Sequence, residues 1–386
     1  MKPTRQIQLN FRPAVRPPEA DDPSNDAEAE KEKFRSSLSA VELVDGGKVM
    51  FLGGDETVEA EPSIERLLRN GDDGYGGSNE PDHQSLRVRD FLKLADETPD
   101  EGRIGEIDIE GLCAAEEYLW VVGSHSAKRK QPKLKGDAAD DLKRLAKVET
   151  DGNRFLLGRI PLVDGNLVKS AGDRTARQLK GSDGGESLIT ALRGDPHLGP
   201  FLQPFGPVPM IPGKDNGFDI EGFAVADSRV FIGLRGPVLR GWSLVLEIAV
   251  EENQAAGELR LKQFEGGQQI RKHFVNVHGL GLRELAVRGR DVFLLAGPTM
   301  VLDGPVRVYR WSGALDVTAG GNSMSDLRHA PKIDIPFGNE SDHAEGMALI
   351  PQPSGSPTEA VLVYDSPSTD RLVGKTNVRA DVFKLP

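Results

Sequence analysis

The chain has 386 residues, 38% of them hydrophobic and 28% charged, with 44 glycines and 26 prolines. That length and apolar content supply a sizeable core, as one large all-β unit or two smaller domains, and so much glycine and proline suits many turns between short strands. A formal net charge of −12 argues against a non-specific nucleic-acid binder, whose affinity rests on Lys and Arg neutralising phosphates.

No apolar run has the length of a membrane span or the form of a signal peptide. The only cysteine, Cys113, has no disulfide partner and no Cys/His zinc pattern around it. A soluble cytoplasmic monomer without nucleic-acid or membrane partners is expected. Cys113 sits between Leu112 and Ala114 and is read as a small packed residue rather than a nucleophile.

In chain order, Gln6-Ile7-Gln8-Leu9-Asn10-Phe11 alternates polar and apolar, the spacing of a strand with one buried face. Pro13 to Lys33 is rich in Pro, Asp and Glu with almost nothing to bury, which predicts a solvated tether. Residues 1–35 are thus expected to be a strand on a tether, and residues 36–386 the folded body. Asp45-Gly46-Gly47-Lys48 predicts a hairpin turn into Val49–Leu52. Ser63–Leu68 and Leu86–Phe91 read as strands around a Gly/Asp loop, Asn70 to Asp82, whose acid spacing does not fit an EF-hand calcium loop.

The basic run Lys128–Lys135 leads to Asp137, the N-cap of a predicted helix carrying Leu142, Leu145 and Val148. Arg154–Ile160 predicts a strand, and Glu186–Leu192 a second short helix before a Pro-rich loop. The stretch from about 127 to 217 reads as an insertion with too little strand signal for a further four-stranded unit. Trp242–Val250, Glu258–Lys262, His273–Val275, Val306–Trp311 and Asp381–Leu385 are further strands.

One phrase recurs through this series. Asp108-Ile109-Glu110-Gly111-Leu112 precedes the run Tyr118–Gly123, and Asp219-Ile220-Glu221-Gly222-Phe223 precedes Val230–Gly233. Leu282-Arg283-Glu284-Leu285 precedes Val292–Gly297, and Ala344-Glu345-Gly346-Met347 precedes Ala360–Tyr364. A weak copy, Ser39-Ala40-Val41-Glu42-Leu43, precedes Val49–Gly54. Glu110 stands 111 residues before Glu221, Glu221 62 before Arg283, and Arg283 62 before Glu345. Repeats of about 40–50 residues with several strands each mark propeller blades, and a longer unit fits a blade with extended loops. The expected fold is all-β, a five-bladed β-propeller with a short helical insertion, six blades being the alternative if the insertion hides one. Each phrase then opens the innermost strand of a blade, and the strands at Ile7 and Val382 supply pieces to close the ring.

The phrases with Trp120–Ser126, Gly233–Pro237 and Leu294–Pro298 resemble the bacterial family catalogued as domain of unknown function 3616, over roughly Ser36 to Leu385. That resemblance implies a β-propeller and assigns no activity. More distantly the acidic-Gly phrase is similar to phytase-like esterase and gluconolactonase-type propellers, in which the comparable Glu binds a divalent cation at the channel mouth.

Repeat symmetry aims Glu110, Glu221 and Glu345 at one axis, with Arg283 in the equivalent place of a fourth blade. Three confined carboxylates need a cation. Arg283 and Arg235 supply it, or a metal does, for which an all-oxygen set favours Ca²⁺ or Mg²⁺. A third reading has each Glu accept backbone N–H groups of the neighbouring blade and lock the ring. A second group lies at the far ends of the second strands: Ser124 and His125, Arg235, Asp55 and Asp365. His125, Arg235 and Asp55 are the candidate catalytic groups, since His is an acid–base group near neutral pH. Two functions stay open: a polar central-channel site that binds a small ligand or a protein partner, or a divalent-metal hydrolase of a small ester, lactone or phosphate.

Overall fold

Each copy of the phrase forms the innermost strand of a sheet, and five such sheets stand around one axis in a computed structural model. It describes residues 1–12, 34–54, 61–79, 81–95, 105–134, 137–181, 187–204, 208–352 and 354–386. The tether at 13–33 and the candidate Asp55 lie outside the described residues.

Blade 1 contains Leu38–Val44, Val49–Gly54, Ser63–Leu68 and His83–Arg87. Blade 2 contains Ile109–Ala115, Tyr118–Gly123 and Leu157–Val163, with Arg177–Gln178 outermost. Asp219–Ala226, Arg229–Gly236, Ser243–Asn253 and Ile270–Asn276 make blade 3. Blade 4 is Gly281–Arg288, Asp291–Gly297, Val306–Trp311 and Lys332–Ile335. Blade 5 is His343–Leu349, Glu359–Asp365, Asn377–Lys384 and, from the other end of the chain, Arg5–Asn10.

The innermost strands of successive blades touch all the way round, blade 5 against blade 1, which makes the fold a five-bladed propeller. Sheets covered on both faces need strands that are apolar throughout rather than alternating, as in Tyr118–Val122 and Val292–Ala296. The core accordingly divides into layers between blades. Trp120 and Phe223 fill the layer between blades 2 and 3, Phe231 and Tyr309 that between 3 and 4, and Phe293 and Phe383 that between 4 and 5. Gly111 is required where the inner strands converge: a Cβ there would lie 2.3 Å from the Phe223 Cβ.

Ring closure uses the strands expected for it. Arg5–Asn10 runs antiparallel to Asn377–Lys384, with Arg5 opposite Val382 and Ile7 opposite Ala380. Its other edge pairs in parallel with Gly74–Gly76, which belongs to a loop of blade 1. One strand thereby joins the last blade to the first.

Among the described residues, the stretch from 127 to 217 supplies no sixth blade, and its longest strand completes blade 2. Leu157–Val163 is that blade's third strand, pairing with Tyr118–Gly123, and Arg177–Gln178 pairs with it in turn. Two excursions remain. In the first, Lys128–Arg129 pairs with Val148–Glu149 around the helix Ala138–Ala146, whose N-cap Asp137 accepts the Ala139 N–H at 3.0 Å. The second carries the short helices Ser187–Arg193 and Gly199–Leu202. Among the described residues no helix is long and apolar enough to cross a membrane.

Candidate functional site at the channel mouth

All five innermost strands carry an irregularity at the same place. The pairing with the second strand slips between Leu38 and Ala40, Ile109 and Gly111, Ile220 and Gly222, Leu282 and Glu284, and Ala344 and Gly346. The extra residue of each bulge is Ser39, Glu110, Glu221, Arg283 or Glu345. A bulge breaks the ladder locally and re-aims a side chain, so the phrase encodes a bulge that presents one polar group per blade to the channel.

Ser39 spends its hydroxyl on the next blade, donating to the Ile109 carbonyl. Arg283 Nη1 lies 3.1 Å from Glu221 and also pairs with Glu345, while its Nη2 donates to the Pro298 carbonyl at 2.9 Å. Arg235 Nη1 donates to Glu221 at 2.7 Å and Nε to the Thr299 carbonyl at 2.9 Å. Asp108 pairs with Arg154 at 2.5 Å, and Arg154 also donates to Ser124 Oγ at 3.1 Å and Ser126 Oγ at 3.2 Å.

Glu110 stands apart. Its residue is 8% exposed, and among the described residues nothing donates a hydrogen bond or ion pair to its carboxyl. Burial, and after it the charges of Asp108, Glu221, Glu345 and Asp219, push Glu110 well above the usual carboxylate range. Asp219 is nearly as isolated, with Arg235 at 4.0 Å. Burial and the Glu221 charge bring it up to about 7. Both line a cavity of about 520 Å³ at the channel mouth, together with Asp108, Glu221, Glu345 and Asp365. Arg283 lines a smaller hollow beside it, which shares Arg235, Glu345 and Asp365.

The expected groups are only partly brought together. Arg235 and Asp365 reach the cavity, but His125 does not line it. His125 is buried against Phe155, with ring centroids 5.8 Å apart, and its Nδ1–H donates to the Gly123 carbonyl at 2.9 Å. Burial pulls it down to about 4, so the imidazole is neutral at pH 7. Ser124 sits behind the cavity wall as an acceptor for Arg154.

Of the metal ligands expected, Glu110, Glu221 and Glu345, the last two are bridged by the Arg283 guanidinium. Among the described residues no three His, Cys, Asp or Glu side chains gather so as to hold an ion. The locking of blades through backbone N–H groups does occur, but on other acids. Glu284 accepts from Phe223 N at 3.0 Å and Leu285 N at 2.8 Å, tying blade 4 to blade 3. Glu42 accepts from Leu43 N at 2.8 Å and Ala114 N at 3.2 Å, tying blade 1 to blade 2. Cys113 Sγ accepts from Val225 N at 3.3 Å, and burial pushes its thiol up, so it is not a nucleophile.

Residues 37–381 match the family described as "Protein of unknown function (DUF3616)". The chain belongs to this family. No curated protein matches it. Among solved structures, the DUF3616 chain is similar to Kuenenia stuttgartiensis hydrazine synthase at 8% identity and a TM-score of 0.33, over 85% of this chain and 55% of that one. It therefore spans about half the length of that relative. A luciferin-regenerating enzyme matches at 7% identity and TM-score 0.35, over 91% and 92% of the two chains. A member of the duf4221 family from Bacteroides vulgatus matches at 9% and 0.34, over 99% and 98%. Likenesses this distant say nothing about what the DUF3616 propeller binds.

Proposed function

We propose that the cavity at the channel mouth binds a small polar molecule, and that Glu110 and Asp219 hold it. The supporting observation is Glu110: a residue more than nine-tenths buried, its carboxyl without a protein partner among the described residues, lining a cavity of ligand size. Folding gains nothing from such a group, because an unpaired buried carboxyl costs stability; a ligand that pairs with it recovers that cost. Thermal unfolding of wild type and Glu110→Gln, followed against a panel of sugars, sugar acids, lactones, polyols and amines, tests this. At least one compound is expected to raise the wild-type Tm, since a ligand that binds only the native state stabilises it, and to lose most of that effect in Glu110→Gln. A panel without any Glu110-dependent shift removes the reading.

Asp219 favours a second reading, a hydrolase of a small ester, lactone or phosphate. A carboxyl near 7 takes and gives a proton at neutral pH, as general acid–base catalysis requires. The Glu110–Glu221–Glu345 set is the weaker basis for such a hydrolase, since Arg283 occupies the ground a metal would need.

A further inference from the structure

The cavity has two electrostatic poles. Its floor carries the acids of the phrases, and its rim is the strap formed by Lys128, Arg129 and Lys130. In a chain of net charge −12 this basic strap is a local exception, and it lines the same cavity as Glu110.

Charge on the floor is out of balance. Five carboxyls (Asp108, Glu110, Asp219, Glu221, Glu345) meet three guanidiniums. Arg154 is committed to Asp108, Arg235 to Glu221, and Arg283 to Glu221 and Glu345. None of these pairs reaches Glu110, and Asp219 has Arg235 only at 4.0 Å, with the Lys214 charge nearby, so the carboxyls outnumber the guanidiniums by two. On the rim the partners are exposed and exchangeable: Lys128 with Glu106 at 3.2 Å, Arg129 with Asp215 at 2.8 Å, Lys130 with Glu149 at 3.1 Å. Solvated ion pairs of this kind contribute little and give way to a better anion. A metal ion alone would answer the floor and leave the rim without a role. A simple anion would answer the rim and be repelled by the floor.

We infer that the ligand of this cavity is a small zwitterion, its amine held by Glu110 and Asp219 and its anionic group by the Lys128–Arg129–Lys130 strap. This rests on the small-molecule reading of the cavity and narrows it to one chemical class. Arrival of the ammonium group favours the ionised form of Glu110, which burial and the neighbouring acids disfavour in the free protein, so binding is expected to release a proton.

Isothermal titration of the full chain at pH 7 with phosphoethanolamine and γ-aminobutyrate tests it, beside the half-molecules ethanolamine, butylamine, inorganic phosphate and butyrate. At least one zwitterion is expected to bind about tenfold or more tightly than either of its halves, because two tethered contacts reinforce each other. The Lys128→Gln, Lys130→Gln double variant closes the gap between that zwitterion and its amine half, and Glu110→Gln closes the gap to its anionic half. The measured heat should vary with the ionisation enthalpy of the buffer, and that variation should vanish in Glu110→Gln. A zwitterion that binds no better than one of its halves, or that ignores the double variant, overturns the inference. If zwitterions fail while a sugar or polyol gives a Glu110-dependent Tm shift, the inference falls and the small-molecule reading stands. If every compound fails, both fall.

Discussion

Replacing Arg283 with methionine is expected to lower stability by about 3–5 kcal/mol at neutral pH, the usual cost of removing one partner of a buried ion pair. Methionine keeps most of the stem volume, so the loss isolates the charge. Arg283 is 6% exposed, and its guanidinium holds Glu221 and Glu345 together in the channel. Without it Glu345 has no cation, and Glu221 keeps only Arg235. Urea unfolding measures the cost. Glu345→Gln in the same background should recover part of it, since the second change removes the stranded charge. The loss should shrink at lower pH, where Glu221, already raised by burial, takes a proton. Removing the guanidinium also clears the ground between Glu221 and Glu345, so Ca²⁺ is expected to raise the Tm of the variant and leave that of wild type unchanged. A cost below about 1 kcal/mol, the worth of a surface pair, would show that the channel is wet enough to screen these charges.

The second large effect is on pH. Glu42 is raised to about 7, chiefly by burial, Asp219 also to about 7, and Glu110 and Glu284 well above the ordinary carboxylate range. Unfolded carboxyls lose their protons near pH 4, whereas Glu42 and Asp219 keep theirs in the native state until about 7, and Glu110 and Glu284 keep theirs well past the ordinary range. Between those limits the native state binds more protons than the unfolded one, so stability falls as pH rises, by up to about 1.4 kcal/mol per pH unit for each such group. Ordinary paired carboxylates work the other way and only lower down: Asp326, held at about 2 by Arg328, contributes above the unfolded value and is lost in acid. Stability should therefore be greatest near pH 5 and decline toward pH 8. Urea midpoints at pH 5, 6, 7 and 8 show the slope, and Glu42→Gln and Glu284→Gln should each flatten it. A wild-type midpoint that climbs from pH 5 to 8 would mean that these acids are ionised when folded.

The propeller was legible because the phrase repeats a physical requirement rather than a motif. Ile109, Ile220 and Leu282 must pack between blades, Gly111 and Gly222 must let inner strands converge, and the residue between must bulge. This is why Arg283 aligns with Glu110 despite its opposite charge. The same logic, carried to blade 1, points to Ser39 as the fifth bulge residue, a position its weak phrase conceals. It also shows Glu284 in the place of a glycine, where a side chain must lie along the neighbouring blade and becomes a bridge instead of a ligand. Asp108 and Asp219 open their phrases identically, and that identity was the available signal for the acids beside the bulge. Arg154 had none: it sits at the end of a long excursion, in the 3₁₀ turn Gly152–Phe155, and only folding brings it to Asp108. His125 misled for the opposite reason. A histidine next to a strand end suggests chemistry, but the backbone at φ +52 turns the ring inward onto Phe155.

The strand that joins blade 5 to blade 1 also imposes an order of events during synthesis. Arg5–Asn10 is made more than 360 residues before its antiparallel partner Asn377–Lys384. The equilibrium cost of so long a loop is modest, because closure entropy grows only with the logarithm of length. The kinetic cost is not, since pairings so distant in sequence form late. Until the late strand emerges, Arg5–Asn10 has only Gly74–Gly76 to pair with, and the facing edge strands of the first and last blades are open to other chains. The nascent protein is thus a partly built ring with two open edges, and its exposure to wrong pairings is concentrated in the time before the last blade arrives.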